Sequence, residues 1–194
     1  MAEIAELNGF DDVFFFDDRW PELSYVEHWP VIGTSAQLVE SCSRFDAISV
    51  AIGHNQTRIE KQALLSKKGG HFPTFIHPAA VVSKYSQVGD GTVIMAGAVV
   101  KPFSVIGPSC IINTSATIDH DCVLSEGVHI SPGANVAGGV QVGLGSWVGI
   151  GASVKQLIKI GNHAIIAAGA VVVQNVLDEQ VVAGVPAQQL NIKD

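Results

Sequence analysis

The chain is poor in charge, poor in cysteine and without long apolar runs, and each deficit excludes a class of protein. Of its 194 residues, 18 are acidic and 11 basic, which gives a formal net charge of −7. A surface for nucleic acid or for an anionic membrane needs a clustered basic patch, so neither partner is expected. No apolar stretch approaches the roughly 18 residues that a membrane span requires. No basic segment precedes an apolar one at the N-terminus, so the sequence predicts no signal peptide.

Cysteine is scarce as well. Three cysteines, Cys42, Cys110 and Cys122, cannot all pair, and none has the C-x-x-C spacing of a redox or zinc motif. The sequence therefore predicts a reduced, cytoplasmic protein. By contrast, 47% of the residues are hydrophobic and 20 are glycines. Since no long linker is present to hold them, the glycines are expected to recur at a fixed spacing.

That spacing runs through residues 75–176, which divide into 17 successive hexapeptides without an insertion. The second position of every hexapeptide is aliphatic, and the sixth is mostly small. A fixed period over this length is typical of a stacked repeat architecture. Six residues fit neither the 3.6-residue period of a helix nor the two-residue period of a long strand. Short strands joined by tight corners do fit, and three successive hexapeptides make one coil of a triangular prism.

The corners and the interior of this prism can be assigned from hexapeptide positions. Glycines at the third to fifth positions, such as Gly89, Gly91 and Gly143, are expected to turn corners or to allow close packing. Cys110 and Cys122 occupy the small sixth position, so we expect them to be core residues rather than reactive thiols.

Residues 1–74 follow a different pattern. A short helix is expected over residues 2–7, a buried strand over 13–16, a second strand over 45–52 and a helix over 56–67. This order predicts a small α/β domain with a parallel sheet, whose ligands bind at the carboxyl ends of the strands.

Those strand ends carry polar residues. Asp17 and Asp18 follow the first strand, and a Gly-His-Asn turn follows the second. In the helix after that turn, Thr57 and Glu60 have the spacing of a capping box. Its inner face is expected to consist of Ile59, Ala63 and Leu64.

The hexapeptides resemble the left-handed parallel β-helix of the hexapeptide-repeat acyltransferases, and the handedness is implied by that resemblance alone. Proteins of this fold are typically trimers with an acyl-CoA site in each groove between prisms. The segments INTSATIDHDC (112–122), HISPGA (129–134) and VAGVPA (182–187) follow a small α/β domain. This combination closely resembles the NeuD/PglD-type sialic acid and amino-sugar acetyltransferases over essentially the whole chain.

The resemblance implies three parts and a homotrimer. Residues 1–74 would form a Rossmann-like α/β domain of the nucleotide-sugar-binding kind. Residues 75–176 would form the left-handed β-helix acyltransferase domain, and residues 177–194 a tail with the GVPA motif. In that tail Gln188 follows GVPA where the family often has Lys or Arg, which removes one phosphate partner for CoA.

The candidate base is His120, which lies at a corner of its hexapeptide between Asp119 and Asp121. Histidine is the usual general base near neutral pH, and a carboxylate bonded to the imidazole orients the ring and raises its basicity. The resemblance implies that His120 is the base and that Asp121 modulates it, although the family more often has Glu there.

The resemblance also implies acetyl-CoA as co-substrate, with His129, Gly138, Ile150 and Ala168 at its site. The Gly138 N–H would stabilise the oxyanion of the tetrahedral intermediate. Half a coil separates His120 from His129, so the two are expected on different edges of one prism. A site shared between neighbouring subunits of the trimer would bring such edges together.

Five residues match the nucleotide-sugar positions of the family: Asp17, Asp18, Gly53, Asn55 and Arg58. Family members normally begin with a β-strand and a glycine-rich G-x-G/S-G-H-G loop, which approaches the sugar nucleotide. This sequence starts within the helix that should follow that loop. A misplaced start, a truncated sequence and a loss of nucleotide-sugar binding would each explain the difference.

Three functions remain open on the sequence. The first is N-acetylation of a nucleotide-linked 4-amino-dideoxy sugar for surface glycans, and the second is O-acetylation of sialic acid or a related sugar hydroxyl. One base serves both nucleophiles, so the sequence does not separate them. The third is a non-catalytic trimeric scaffold. A metal enzyme is not expected, because His120, His129 and His163 belong to different faces of the prism.

Overall fold

The computed structural model describes residues 1–190. The N-terminal domain, residues 1–74, contains three helices, a short 3-10 turn and a three-stranded sheet. In chain order these are α1 (Ala2–Leu7), β1 (Phe15–Phe16), β2 (Tyr25–Val26), β3 (Trp29–Gly33), α2 (Ser35–Ser41), the 3-10 turn (Cys42–Arg44) and α3 (Asn55–Lys67).

Both helices expected in this domain are present, but the sequence misplaced the cap and the inner face of α3. The His54 side chain accepts a hydrogen bond from the Thr57 N–H at 3.3 Å, so His54 is the cap. Leu64, expected inside, is 47% exposed, whereas Arg58 and Gln62 are buried. Three of the four buried residues of α3, Asn55, Arg58 and Gln62, are polar, because they contact backbone carbonyls of the following domain.

The sheet of this domain is mixed rather than parallel. β1 runs parallel to β3, and β2 runs antiparallel to β3. The strand expected over residues 13–16 is shortened to β1, and Phe14 beside it is 44% exposed.

The strand expected over residues 45–52 is wrong. A strand needs a hydrogen-bonded neighbour, and none of the described strands pairs with this segment. Its Ile48 N–H instead donates to the His71 carbonyl at 2.8 Å. The segment lines one side of a cavity of about 740 Å³, and β1 lines the same cavity.

From Phe75 onward, two-residue strands recur every six residues. They are β4 (Phe75–Ile76), β5 (Val81–Val82), β6 (Gln87–Val88), β7 (Val93–Ile94), β8 (Val99–Val100), β9 (Val105–Ile106), β10 (Ile111–Ile112), β11 (Thr117–Ile118), β12 (Val123–Leu124), β13 (His129–Ile130), β14 (Asn135–Val136), β15 (Gln141–Val142), β16 (Trp147–Val148), β17 (Ser153–Val154), β18 (Lys159–Ile160), β19 (Ile165–Ile166) and β20 (Val171–Val172). Each of the 17 expected hexapeptides therefore begins with its own strand.

These strands stack into the predicted parallel β-helix, which we call the prism (residues 75–176). Each strand pairs in parallel with the strand one full coil away, as in Ile112↔Ile130, and three sheets result. The second-position aliphatics from Ile94 onward are buried in a single column. Cys110 and Cys122 lie in that column as free thiols, as expected, and burial raises the pKa of Cys110 to about 12.

Glycine serves the corners in two ways. At the fifth position, residues such as Gly91 and Gly145 have positive φ angles of +70° and +63°, a conformation that glycine adopts without steric cost. At the third position, a Cβ on Gly143 would lie 2.5 Å from the Gly161 carbonyl carbon of the next coil. The first group turns the chain, and the second lets neighbouring coils approach.

The predicted tail continues the prism. β21 (Val181–Ala183) pairs in parallel with β19, and β22 (Gln188–Gln189) returns antiparallel to β21. The GVPA motif at residues 184–187 is the turn between these two strands, where Gly184 has φ +94°. Residues 191–194 of the predicted tail lie outside the described residues. No helix in the described part of the chain is long and apolar enough to span a bilayer.

Candidate functional site

His120 lies at the corner between β11 and β12, where its ring is hydrogen-bonded to the next residue. Its Nδ1 lies 2.7 Å from the Asp121 Oδ2, and its backbone N–H donates to the Asp119 Oδ1 at 2.9 Å. Asp121 occupies the fifth position with φ +59°. The Asp121 hydrogen bond raises the pKa of His120, and the charge of Asp119 raises it further. The side chain is 60% exposed, so this basic imidazole is open to a ligand.

Gly138 lies under the His120 ring, one coil further along the prism. A Cβ at this position would be 2.8 Å from the Cε1 and Nε2 of His120. Any other residue would therefore displace the imidazole. Among residues 1–190, the Gly138 N–H has no hydrogen-bond acceptor, so the residue beneath the ring has a free donor.

His129, at the start of β13, has the opposite environment. It is 8% exposed, and its ring stacks on Trp147 at 5.5 Å with 7° between the planes. Burial lowers its pKa to about 4, and the charge of Arg58 acts in the same direction. The ring is therefore neutral at pH 7. Asn113 Nδ2 lies 3.2 Å from Nε2, and Nδ1 has no partner among the described residues.

The contacts of His129 with Asn113 and Trp147 were not predicted from the sequence, although a signal for both was present. Trp147 occupies the position one coil after His129, so the coil period places it directly above. Asn113 directly follows β10, the strand that pairs with β13 from the coil below. The coil period was used to locate the core and could equally have located these outward contacts.

The structure separates His120 and His129, as expected for a single chain. His120 follows a strand of the six-stranded sheet, and His129 lies in the eight-stranded sheet. Ile150 and Ala168 are both located at the corner that follows the eight-stranded sheet, and both are exposed. They are one coil apart, since the Gly169 N–H donates to the Ile150 carbonyl at 2.8 Å.

Asp17 and Asp18 line the cavity of the N-terminal domain. Asp17 forms a two-point ion pair with Arg19 at 2.9 and 3.0 Å, and these hydrogen bonds lower its pKa to about 2. Asp18 Oδ1 accepts the Ser35 N–H at 2.8 Å, at the start of α2. Asp17 is thus held in an ion pair, Asp18 is hydrogen-bonded to the backbone, and both line a largely apolar cavity.

The other three predicted sugar-nucleotide residues are used within the protein. Arg58 is 2% exposed, and its guanidinium donates to five oxygens: the carbonyls of Ser109, Gly127, Ile52 and Gly53, and the Asn55 Oδ1, at 2.8–3.1 Å. Asn55 Nδ2 donates to the Gly145 carbonyl at 2.9 Å. The two side chains therefore bind the N-terminal domain to one edge of the prism, a role that the sequence did not suggest.

No group of three or more His, Cys, Asp or Glu side chains in residues 1–190 is placed to hold a metal ion. The chemistry available at His120 is that of a histidine–carboxylate pair with a free backbone N–H beside it. This arrangement can remove a proton from a nucleophile and stabilise an oxyanion.

Comparison with known proteins finds similar chains for both domains. Residues 1–64 match the family model of the PglD N-terminal domain. The acetyltransferase domain of PglB from Neisseria gonorrhoeae, solved with acetyl coenzyme A, superposes with a TM-score of 0.93 at 40% identity, over 97% of this chain and 92% of that one. PerB from Caulobacter crescentus, solved with CoA and GDP-perosamine, gives a TM-score of 0.83 at 36% identity, over 87% and 82%.

A curated relative, the UDP-N-acetylbacillosamine N-acetyltransferase of Bacillus subtilis, is 45% identical over 47 residues. That match spans 24% of this chain and 22% of the relative.

Proposed function

The chain belongs to the NeuD/PglD-type family of sugar acetyltransferases, and from this premise we propose that it transfers acetyl from acetyl-CoA to the amine of a nucleotide-linked 4-amino-dideoxy sugar. The observation that carries the proposal is the exposed His120–Asp121 pair beside the free N–H of Gly138. An amine acceptor is favoured by the relatives, which are N-acetyltransferases or bind GDP-perosamine together with CoA. The product would enter surface glycan synthesis in the cytoplasm.

His120 acts as the general base. Its Nδ1–H donates to Asp121, which leaves the Nε2 lone pair free to accept a proton. The amine nitrogen attacks the thioester carbonyl carbon, a C–N bond forms, and the amine proton passes to Nε2. The C–S bond then breaks, and the departing thiolate takes the proton from the imidazolium, which yields CoA as the free thiol.

Gly138 supplies the electrostatic part of the mechanism. In the tetrahedral intermediate the former carbonyl oxygen carries a negative charge, and Gly138, the residue beneath the His120 ring, has an unbonded N–H that would donate to it. One such donor is worth about 10²–10³ in kcat in acyl-transfer enzymes. The missing Cβ also keeps space for the imidazole.

Acetyl-CoA would occupy a groove between subunits of a homotrimer. His129, which is neutral and stacked on the exposed Trp147, would border this groove. The exposed side chains of Ile150 and Ala168, one coil apart, would contact the apolar part of the acetyl-pantetheine arm. Because His120 and His129 lie on different sheets, the trimer would pair His120 of one subunit with His129 of the next.

The nucleotide end of the acceptor would bind at the N-terminal domain. Asp17 and Asp18 border the cavity there and could accept hydrogen bonds from ribose hydroxyls or the base. Gly53 directly follows the segment 45–52, which lines the same cavity. Asn55 and Arg58 would support this site indirectly, because they hold α3 and its preceding turn against the prism.

A thiol-release assay tests the proposal. Wild type is incubated with acetyl-CoA and, in turn, a UDP-linked 4-amino-dideoxy sugar, GDP-perosamine and free sialic acid. We expect release with an amino-sugar nucleotide and roughly a 10²- to 10⁴-fold loss of kcat in His120→Ala. His163→Ala, an exposed corner histidine of another coil, is the matched control and should retain activity. Release no faster in wild type than in His120→Ala would remove the enzyme assignment and favour a scaffold.

The pH profile tests the role of Asp121. A base is inactive when protonated, so kcat/KM should fall as the pH drops below the pKa of His120. Asp121 is the main reason that this pKa is raised. Asp121→Asn should therefore move the acid limb to lower pH while lowering the plateau by less than His120→Ala does. An unmoved acid limb would mean that another group controls it.

A further inference from the structure

A second feature of the His120 corner is a pair of exposed aromatic rings on the coils that precede it. Phe103 lies one coil before Asp121 at the same hexapeptide position, and Tyr85 lies one coil before Phe103. The two rings are 5.9 Å apart with 31° between their planes, and they are 63% and 59% exposed. Large exposed rings in contact with one another and not with a core are unusual for structural residues.

Phe103 is also conformationally costly. Its φ is +64°, at a fifth position where many other coils have glycine. A bulky residue is strained in this conformation, because its Cβ crowds the backbone carbonyl oxygen. Leu157 shares this backbone conformation, so the feature particular to Phe103 is its exposed ring against Tyr85 on the edge that precedes His120.

Two lysines flank the rings in a chain whose net charge is negative. The Lys84 ammonium lies 5.0 Å from the centre of the Tyr85 ring. Lys101 precedes Phe103 by two residues and is close enough to His120 for its charge to lower the pKa of that histidine. We call Lys84, Tyr85, Lys101 and Phe103 the basic aromatic surface.

The charges along this edge therefore change sign from one coil level to another. Asp119 and Asp121 lie at the level of His120, and the lysines lie one and two coils before it. One coil step is about 4.8 Å, which is comparable to the width of a pyranose ring. A nucleotide-linked amino sugar has the complementary order, with a hydrogen-bonding amine at one end of the ring and an anionic diphosphate beyond the other.

On this basis we propose that the basic aromatic surface binds the sugar-diphosphate part of the acceptor. The inference rests on the proposed function and adds to it the path of the acceptor along the prism. With the amine at His120, the sugar ring lies over Phe103, and the diphosphate meets Lys101 and Lys84. The nucleoside beyond the diphosphate would then bind at the N-terminal domain of a neighbouring subunit.

Phe103→Gly is the sharpest variant, because glycine suits the positive φ of this position and the prism should fold at least as well. Leu157→Gly is its matched control. Leu157 lies two coils beyond Asp121 on the same edge, also at a fifth position, with φ +62° and 75% exposure. We expect Phe103→Gly to raise KM for GDP-perosamine or the UDP-linked amino sugar roughly tenfold with kcat and KM for acetyl-CoA little changed. Leu157→Gly should leave KM for the acceptor nearly unchanged.

A binding measurement separates this proposal from the reaction itself. Calorimetric titration with the same two sugar nucleotides, without acetyl-CoA, should show Kd raised roughly tenfold in Phe103→Gly. The double variant Lys84→Gln and Lys101→Gln should bind weakly and lose most of the salt dependence seen in wild type. If wild type binds a sugar nucleotide in this way but does not acetylate it, the proposed function is overturned, whereas the basic aromatic surface is still a sugar-nucleotide site.

Three results would overturn the surface assignment. One is turnover with an acceptor KM that Phe103→Gly and the double lysine variant leave unchanged. Another is the absence of binding of either sugar nucleotide by wild type. The third is a changed oligomeric state of Phe103→Gly in analytical ultracentrifugation with an unchanged acceptor Kd, which would make the rings a subunit contact.

Discussion

The prism and the N-terminal domain pack against one another but are built by different rules. In the prism, strand pairing, side-chain direction and corner conformation all share one period, so Ile112 and Ile130 are stacked and fully buried. In the N-terminal domain no period is shared, and helix α3 buries Arg58 and Gln62 while exposing Leu64. A hydrophobic pattern identifies the inner face only where the partner surface is apolar. The partner of α3 is a row of carbonyl oxygens at the prism corner, so polar side chains lie inside.

The largest expected effect comes from comparing two aliphatic residues. One is buried in the prism, and the other was wrongly expected on the inner face of α3. Ile112→Ala removes methyl and methylene groups from a closed column and should lower the free energy of unfolding by about 2–5 kcal/mol. Leu64→Ala should change it by no more than about 0.5 kcal/mol. Urea denaturation at a fixed protein concentration measures both. Equal losses would show that Leu64 has a packing role absent from this structure.

The second test breaks the connection between the two regions. Arg58→Met removes five hydrogen bonds and leaves buried carbonyls unsatisfied, so a loss of about 2–4 kcal/mol is expected. Calorimetry should then resolve a lower-temperature transition of the N-terminal domain from that of the prism. Arg44→Met, an exposed arginine of the same domain, is the control and should unfold as wild type does. A single, little-shifted transition in Arg58→Met would contradict the role of this residue.

A smaller effect is expected from the histidine buried near this connection. The pKa of His129 is about 4 in the folded protein, against 6.5 for the free group. As the pH falls from 6.5 to about 4, the unfolded chain binds a proton here that the folded chain does not, so stability decreases. At pH 5.5 the loss relative to pH 7.5 is about 1 kcal/mol.

His129→Gln should remove that part of the pH dependence of unfolding, and His163→Gln, which alters an exposed histidine, should retain it. Unfolding midpoints measured between pH 7.5 and 5 report the difference. An identical acid slope in wild type and His129→Gln would mean that His129 titrates normally in the folded protein.

The smallest effect concerns the start of α3. His54→Ala removes the side-chain cap on the Thr57 N–H and should cost about 1 kcal/mol. Glu60→Ala, which tests the capping box expected from the sequence, should cost only the Gln56 contact, or about 0.2–0.5 kcal/mol. A larger loss in Glu60→Ala would restore the sequence-based cap.

The sequence predicted those features that depend on periodicity or on local chemistry. The 17 strands, the buried column and the separate edges of His120 and His129 follow from counting hexapeptides and coils. The His120–Asp121 bond was predictable because adjacent residues at a tight corner can reach one another. The neutral state of His129 was not, because it depends on burial beneath Trp147 and on the charge of Arg58.

In the N-terminal domain the sequence misled where partners are distant. The apolar segment 45–52 has the composition of a strand, but strand formation also requires a neighbouring backbone, which the sequence of the segment does not encode. Arg58 was assigned to a ligand because it matches a nucleotide-sugar position of the family that the chain resembles. Its five carbonyl and amide acceptors come from three separate parts of the chain, and only the fold brings them together.

Because each strand pairs with the strand one full coil away, the length of an insertion in the prism determines where the later residues lie. Inserting one full coil between Phe103 and β11 would keep His120 on its edge but place it one step, about 4.8 Å, further from Phe103. Inserting a single hexapeptide there would instead rotate every later residue by one third of a turn and carry His120 to another face. Insertions can therefore increase the distance between Phe103 and His120 in fixed steps, or move His120 to a face away from Phe103. Neither change alters a residue that contacts a ligand.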